Sequence, residues 1–248
     1  MTINKDESRV YYSPEDEKQF GVRTARATDV TEKYLPEVLN FCRENKIELL
    51  IARCNTADIR SAQALEREGC LLADTLILYV RNIIKTHIPP LPDKILIRPV
   101  QDGEENIVEE IAANSFRGYG GHYQADERLS HVDPSEIYSS WALNSCLNRD
   151  LTHDVLIAEY RGTIVGFMTV RLNSPREGEG PLAGVVTSAG KRSLVLSALS
   201  IEAMNWFRER GASRCVASLL ITNRVMQKIM SRLGFEPGES YYTFHKWF

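Results

Sequence analysis

The chain has 248 residues, of which 43% are hydrophobic and 25% are charged, with a formal net charge of −3 and a pI near 6.0. This composition is typical of a globular protein with one large domain or two small ones. The charge balance favours no nucleic-acid partner, and no apolar run approaches the roughly 18 residues of a membrane span, so we expect no membrane partner.

The cysteines and the first residues indicate a reducing compartment. The opening MTINKDESRVYYSPEDEK is polar and of mixed charge, which is not typical of a signal peptide. An odd number of scattered cysteines favours buried free thiols over a disulfide or metal framework. We therefore expect a cytoplasmic protein without a bound metal. The cysteines are Cys42, Cys54, Cys70, Cys146 and Cys215.

The first part of the chain predicts a small α/β unit. Apolar periodicity predicts helices over 30–45 and 57–68 and strands over 49–53 and 71–80. The segment KTHIPPLPDK contains three prolines, which disfavour both a helix and a central strand. We therefore predict two domains, 1–88 and 89–248.

The second part predicts a longer alternation of elements. A strand over 95–98 precedes helices over 103–115 and 134–147 and a hairpin that turns at Arg161-Gly162. The polar stretch NSPREGEG leads to a strand over 182–187, a helix over 191–209, a strand over 214–219, a helix over 223–232 and a closing strand. The acidic Glu177-Gly178-Glu179 stretch can supply a base acting through water or form a solvated hairpin tip.

The two parts resemble each other weakly at an offset of 165 positions. Residues 41–70 lie over 206–235 without a gap, and both read as helix end, strand, helix, glycine and strand. Two interpretations stay open. The first part is a truncated copy of the end of the second, or the two are unrelated α/β units.

The junction LAGVVTSAGKRSLVLSAL, residues 182–199, joins a predicted strand to a helix through a short loop. Unpaired backbone N–H groups and the helix dipole meet at such a point, so the junction can bind an anion. The alternative is a core strand–helix unit that carries a solvated basic pair, Lys191 and Arg192.

The element order over 95–248 and the segment NRVMQKIMSRLGF, in which Asn223 precedes a helix that ends at Gly-Phe, resemble the GCN5-related N-acetyltransferase (GNAT) family. The HY-x-x-D-x-R segment and the closing YYTFHKWF resemble the two-domain enzymes that acetylate dTDP-linked amino sugars. The resemblance implies an α/β fold with a GNAT-type mixed sheet flanked by helices and preceded by a smaller α/β half-domain.

The resemblance also implies a reaction. An acetyl group passes from coenzyme A to the amine of a nucleotide-linked amino sugar by direct attack, without an enzyme nucleophile. Asn223 is assigned to both the catalytic and the donor-binding residues, and backbone N–H groups near Val185 and Val186 are expected to polarise the thioester carbonyl. The other expected donor-binding residues are Gly190, Lys191, Arg192 and Ser193.

The segment FRGYGGHYQADERL is expected to cover the acceptor. His122 is the expected base, because its ordinary pKa suits proton transfer near pH 7; otherwise it is an ordinary loop histidine. Asp126 and Arg128 either bind substrate or form a surface ion pair. His245 is assigned either to the core or to a cleft. The expected substrate-binding residues are Tyr119, Tyr123, Asp126, Arg128 and Tyr242.

Two departures from the family pattern bear on the reaction. Leu194 and Leu196 stand where the family's phosphate loop has small residues, and Met230 replaces the tyrosine that protonates the departing thiolate. Two alternatives therefore stay open: a degenerate GNAT fold that serves as a binding or regulatory protein, and an acyltransferase that uses an acyl carrier protein. An exposed sheet edge in the first part makes a homodimer conceivable.

Overall fold

The structure, a computed structural model, describes residues 9–148, 152–186 and 191–248. Its contacts divide the chain into two compact units. Among the described residues, unit 1 comprises Leu78–Tyr119 and Asp133–Gly238, and unit 2 comprises 9–77 together with Gly120–Val132 and Glu239–Phe248. No helix of the described residues is long and apolar enough to cross a membrane.

The helices and strands predicted in the first part of the chain are present, and three short elements precede them. Helix α2 begins later than predicted because Pro36 occupies its first turn, where a missing N–H is tolerated. The elements are β1 (Val10–Tyr12), α1 (Pro14–Phe20), β2 (Thr24–Ala27), α2 (Leu35–Glu44), β3 (Leu49–Asn55), α3 (Ile59–Arg67) and β4 (Leu71–Asn82).

The sheet of unit 2 has two faces of opposite character. Strand β2 pairs antiparallel with β1 and parallel with β3, and β3 pairs antiparallel with the final strand, β11 (Glu236–Trp247). Side chains alternate along each strand, so Leu50, Ala52 and Phe244 share one face, where they pack in an apolar core with α2 and α3. The opposite face carries the polar side chains Arg26, Arg53, Thr243 and His245.

Unit 1 contains a sheet in the order β10-β8-β7-β6-β5, with β9 beside β7 off this path. The predicted hairpin between β6 and β7 is confirmed, and Arg161 and Gly162 both have positive φ angles, of 54° and 75°. The elements are β5 (Ile95–Pro99), α4 (Glu105–Phe116), α5 (Pro134–Leu147), β6 (Asp154–Tyr160), β7 (Thr163–Ser174), β8 (Glu177–Glu179), β9 (Ala183–Val185), α6 (Arg192–Glu209), β10 (Arg214–Leu220) and α7 (Arg224–Arg232).

The acidic stretch is a strand, not a solvated hairpin tip. Glu177–Glu179 forms β8, which pairs parallel with β10 and antiparallel with β7. Glu179 is buried and accepts a bond from Arg171 at 3.1 Å, and Gly178 lies against the ring of Phe207 on α6. The lack of a side chain at Gly178 lets the helix approach the strand, which the polar sequence did not indicate.

Gly178→Ala tests this close approach. A Cβ atom at Gly178 would overlap the Phe207 ring, so we expect a loss of about 1–3 kcal/mol in the free energy of unfolding. Urea denaturation followed by circular dichroism measures it. Gly120→Ala is the control, because a Cβ atom there meets nothing within 4 Å and it should change stability little. Equal stabilities of the two variants would mean that α6 does not rest on β8.

The weak internal repeat is matched by the element boundaries. Shifted by 165 positions, β3 coincides with β10, α3 with α7 and β4 with β11 at both ends. Asp58 and Asn223 cap the equivalent helices, accepting the N–H of Ser61 and Met226 respectively. This agreement supports the interpretation that the first part is a truncated copy of the end of the second.

The compact units are not continuous in sequence, whereas the predicted domains 1–88 and 89–248 are. The closing strand β11 pairs with β3 from Leu49 to Asn55, so the end of the chain completes the sheet of unit 2. The segment Gly120–Val132 also belongs to unit 2, although it follows α4 and precedes α5 of unit 1. Neither connection was visible in the order of the predicted elements.

Candidate functional site

Two strands of unit 1, β9 and β10, are not paired with each other among the described residues, and β9 lies at the start of the junction 182–199. Strand β7 pairs with β9 at Gly166–Met168 and with β8 at Arg171–Ser174. Because β10 pairs with β8 and β9 lies off the path of the sheet, β9 and β10 share no ladder in the described part of the chain. Beyond its pairing with β7, β9 therefore has no described strand partner on the side of β10.

The backbone N–H groups expected to polarise a thioester carbonyl already have acceptors. The N–H of Val185 donates to Ser115 Oγ at 2.9 Å, and the Ser115 hydroxyl donates back to the carbonyl oxygen of Val185 at 3.2 Å. The N–H of Val186 donates to the carbonyl oxygen of Val165 at 2.9 Å. The prediction for Val185 and Val186 therefore does not fit this structure, because Ser115 and Val165 occupy both donors.

Helix α6 begins at Arg192, directly after Lys191 as N-cap residue. Lys191 makes no side-chain capping bond; its ammonium donates to the hydroxyl of Tyr160 and lies 3.9 Å from the centre of that ring. The N–H groups of Arg192 and Ser193 lie in the first helical turn, which has no intrahelical acceptors for them. Gly190, the remaining predicted loop residue, lies outside the described residues.

The two leucines at the family's small-residue positions differ in the structure. Leu196 is 5% exposed and packs in the core, so it does not face the place expected for a pyrophosphate. Leu194 is 41% exposed on the first turn of α6, and it alone can crowd a phosphate there. Met230 is buried in unit 1, and the side chain of Asn223 accepts the N–H of Met226 at 3.2 Å to cap α7.

The segment Gly120–Val132 covers the polar face of the unit 2 sheet. Within it, His122, Tyr123 and Asp126 are all buried, so His122 is not exposed to solvent as a loop histidine commonly is. Asp126 accepts the backbone N–H of Arg128 at 3.1 Å, whereas the Arg128 guanidinium lies 5.2 Å from the Trp247 ring. The expected surface ion pair is therefore absent between these two described residues.

Three buried side chains form a hydrogen-bonded chain on this face. Asp126 Oδ2 lies 2.8 Å from His245 Nδ1, and His245 Nε2 lies 2.8 Å from His122 Nδ1. The indole N–H of Trp247 donates to the same Asp126 oxygen at 2.9 Å. His245 therefore links Asp126 to His122 through hydrogen bonds. The sequence did not indicate this link, because His245 lies more than a hundred residues from both partners.

The protonation states of this chain follow from its environment. Burial lowers the pKa of both histidines, whereas hydrogen bonds from Trp247 and His245 outweigh burial and lower the pKa of Asp126. The carboxylate therefore accepts the Nδ1 proton of His245, whose Nε2 accepts the Nδ1 proton of His122. His122 Nε2 is left with a lone pair. No described residue bonds it, and it is not among the solvent-sealed atoms without a partner in the described chain, so it keeps some contact with solvent although His122 is buried.

Two arginines that the sequence analysis did not identify lie on the same face. Arg26 forms a bidentate ion pair with Asp16, one contact of which is 2.7 Å, and donates to the hydroxyl of Tyr123 at 3.3 Å. Arg53 donates through Nε to Thr243 at 3.3 Å. The signal that could have identified them is a single arginine inside each of two largely apolar strands, TARA and LLIARCN.

The remaining predicted substrate residues lie elsewhere. Tyr119 belongs to unit 1, where its ring contacts those of Phe116 and Tyr138 at 5.2 and 5.6 Å between centres. Tyr242 lies on the apolar face of the unit 2 sheet, with its ring 6.3 Å from that of Phe244. The structure therefore groups Tyr123, Asp126 and His122, and separates Tyr242 from them by the thickness of the sheet.

Comparison with known proteins identifies the fold. No protein-family model matches the chain. A crystal structure of a GCN5-related N-acetyltransferase from Sphaerobacter thermophilus matches with a TM-score of 0.64 and 13% identity, over 96% of this chain and 76% of that one. A tandem GNAT protein from the clavulanic acid biosynthesis pathway matches with a TM-score of 0.59 and 12% identity, over 92% and 76% of the two chains.

Among curated proteins, the spore coat polysaccharide biosynthesis protein SpsD of Bacillus subtilis (strain 168) is 23% identical over 212 residues. The match spans 82% of this chain and 68% of that protein. The structural matches, together with the mixed α/β architecture, show that this chain has the GNAT fold that its element order predicted.

Proposed function

We propose that the protein transfers an acyl group, with acetyl as the simplest case, from coenzyme A to a primary amine. The observation that carries the proposal is that β9, which precedes the N-terminus of α6, shares no described ladder with β10, within a GNAT fold. An extended thioester arm fits a gap between strands, and an anionic end fits the first turn of a helix. Lys191 and Arg192 would add positive charge there.

The donor is assigned to unit 1, because the equivalent place in unit 2 is closed. In the order of elements, β2 and β3 on either side of α2 take the places that β9 and β10 take on either side of α6, and they pair in register from Thr24 with Leu49 to Ala27 with Ala52. A continuous ladder leaves no gap for a thioester arm. The fit in unit 1 is partial, since Leu194 narrows the helix end and the N–H groups of Val185 and Val186 are occupied. We therefore assign no carbonyl-polarising donor.

His122 is the proposed base, through Nε2. The amine nitrogen attacks the thioester carbon, the carbon–sulfur bond breaks, coenzyme A leaves as a thiolate and the amine proton passes to His122 Nε2. A thiol with a pKa near the reference value of about 8.5 leaves readily near pH 7. The reaction therefore does not depend on a proton donor at Met230, which has no proton to give.

The acceptor is proposed to be the amine of a nucleotide-linked amino sugar. The support is the relative SpsD, whose name places it in polysaccharide biosynthesis, together with the HY-x-x-D-x-R segment and closing strand that resemble the amino-sugar enzymes. The buried polar face of unit 2 suits such an acceptor better than an apolar amine. The hydroxyl groups of a sugar can form hydrogen bonds with the polar side chains of this face, which an apolar amine would leave without partners.

Calorimetry with acetyl-CoA tests the donor. We expect micromolar binding to the wild type and binding at least tenfold weaker in the Lys191→Ala/Arg192→Ala variant, since two charged contacts are lost. The control is Arg60→Ala/Arg67→Ala, which removes the same charge from exposed positions of α3 and should bind as the wild type does.

The other outcomes select the alternatives. Absence of binding at millimolar acetyl-CoA would remove coenzyme A as the donor and leave a carrier-protein donor or a binding role. The carrier-protein alternative is then tested with an acetylated acyl carrier protein as donor. Absence of product with either donor and an amino-sugar acceptor would favour the binding or regulatory role.

A further inference from the structure

Arg53 is a buried cation without an ion-pair partner. Its side chain stands on β3, on the polar face of the unit 2 sheet, and the residue is only 6% exposed. Its one hydrogen bond runs from Nε to the neutral hydroxyl of Thr243. Among the described residues, no carboxylate lies within 4.0 Å of its guanidinium.

The neighbouring arginine shows what a structural buried arginine looks like in this unit. Arg26 is equally buried, but it is neutralised by the bidentate pair with Asp16. Burial of an unpaired charge is costly, so a side chain in the position of Arg53 is retained against a stability cost.

The terminal nitrogens of Arg53 have no described hydrogen-bond acceptor. In the described chain, the solvent-sealed side-chain atoms without a hydrogen-bond partner are Asp74 Oδ1, Ser145 Oγ, Arg171 Nε and Asn173 Oδ1. The Arg53 Nη atoms are not among them, so they keep some contact with solvent although the residue is only 6% exposed. A buried side chain therefore offers four N–H donors that no described residue uses.

The same face is linked to the proposed base. Thr243, which accepts from Arg53 at 3.3 Å, shares its face of β11 with His245, and His245 Nε2 lies 2.8 Å from His122 Nδ1. Burial raises the pKa of Asp74 and so weakens its ability to compensate the arginine. Arg53, Thr243, His245 and His122 thus lie together on one polar face of unit 2.

We propose that Arg53 binds an oxyanion of the acceptor substrate, so that the amine to be acylated is carried on a phosphorylated or carboxylated molecule. The inference rests on the proposed function and assigns the residue that holds the acceptor's anionic group. The planar guanidinium matches the geometry of a phosphate or carboxylate and can bind it through two parallel hydrogen bonds. A nucleotide-linked sugar supplies a diphosphate, and a uronic acid supplies a carboxylate.

Calorimetry at low ionic strength with three probes tests the proposal and separates the sources. The probes are thymidine diphosphate, inorganic pyrophosphate and glucuronate. We expect at least one of them to bind the wild type, and Arg53→Gln to weaken that binding by about ten- to hundredfold. Arg53→Lys keeps the charge but loses the planar fork, so it should fall between the two.

The matched control is Arg67→Gln. Arg67 is an exposed arginine of unit 2 that pairs with Glu32 at 3.0 Å, and its replacement changes the net charge equally. Oxyanion binding should be unchanged in this variant. If Arg53→Gln binds every probe as tightly as Arg67→Gln does, or if no probe binds the wild type, the proposal is overturned.

The thermal stability of the ligand-free protein provides a second measurement, because a purely structural role for Arg53 would make its replacement destabilising. Since Arg53 has no ion-pair partner, Arg53→Gln should have a midpoint of thermal unfolding at or above that of the wild type. A lower midpoint would assign Arg53 to the structure of the sheet and contradict the proposal. Acetyl-CoA binding, measured on the same variant, separates this outcome from a failure of the proposed transferase function.

Discussion

Replacing His122 with glutamine is expected to lower kcat by about 10²–10⁴-fold, the contribution of a positioned general base. Thiol release from acetyl-CoA, with a dTDP-linked amino sugar as acceptor, measures the rate. The variant keeps a side chain of similar length but lacks the Nε2 lone pair of His122. His131→Gln is the control, because His131 is an exposed histidine of the same segment and should leave kcat unchanged.

The pH profile distinguishes a base from a structural residue. Burial lowers the pKa of His122 well below its ordinary value of 6.5, so the neutral form persists to lower pH than in a free histidine. Protonation of His122 should therefore lower kcat only below pH 6.5, separately from the fall in kcat/KM that protonation of the attacking amine causes at higher pH. Asp126→Asn should lower kcat with little change in KM, because it removes the carboxylate that orients His245 and, through it, His122. A His122→Gln variant within threefold of the wild-type kcat would remove the base assignment.

Replacing Asp16 with asparagine is expected to lower the free energy of unfolding by about 3–5 kcal/mol, because it leaves the buried Arg26 without its counter-ion. Burial opposes the charge of Arg26, and the Asp16 carboxylate raises its pKa enough to keep it ionised. Urea denaturation measures the change, at a pH where the wild type is fully folded.

An exposed pair of the same type provides the control. Arg67 and Glu32 are 61% and 54% exposed at the side chain, so Glu32→Gln should cost less than about 1 kcal/mol. The double variant Asp16→Leu/Arg26→Met should recover most of the loss, since an apolar pair leaves no uncompensated charge. A loss at Asp16 no larger than at Glu32 would show that Arg26 reaches water when its partner is removed.

The order of elements could be predicted because it rests on local patterns. The hairpin at Arg161-Gly162, the Asn223 cap and the long helix α6 each depend on a few neighbouring residues. Strand β8 could not be predicted, because its polar residues are stabilised by pairing with β7 and β10 and not by their own pattern. Local propensity is overridden by such long-range pairing.

The candidate site could be predicted only in part, for the same reason. His122 and Asp126 were identified from their segment, but their burial depends on a sheet whose last strand lies more than a hundred residues later. Arg53 was missed because its charge lies inside an apolar strand, and its significance depends on the absence of a described carboxylate beside it. The occupied N–H of Val185 depends on Ser115, a contact that no local pattern encodes.

The pairing of β11 with β3 also constrains how the protein is made. Strand β3 leaves the ribosome well before its antiparallel partner β11, so the sheet of unit 2 stays incomplete until β11 has been synthesised. An unpaired strand edge with buried leucines is a site of aggregation for any chain that stalls or is cut before β11. Because His245 lies on β11, the His122, His245 and Asp126 chain cannot assemble in a product that lacks this strand.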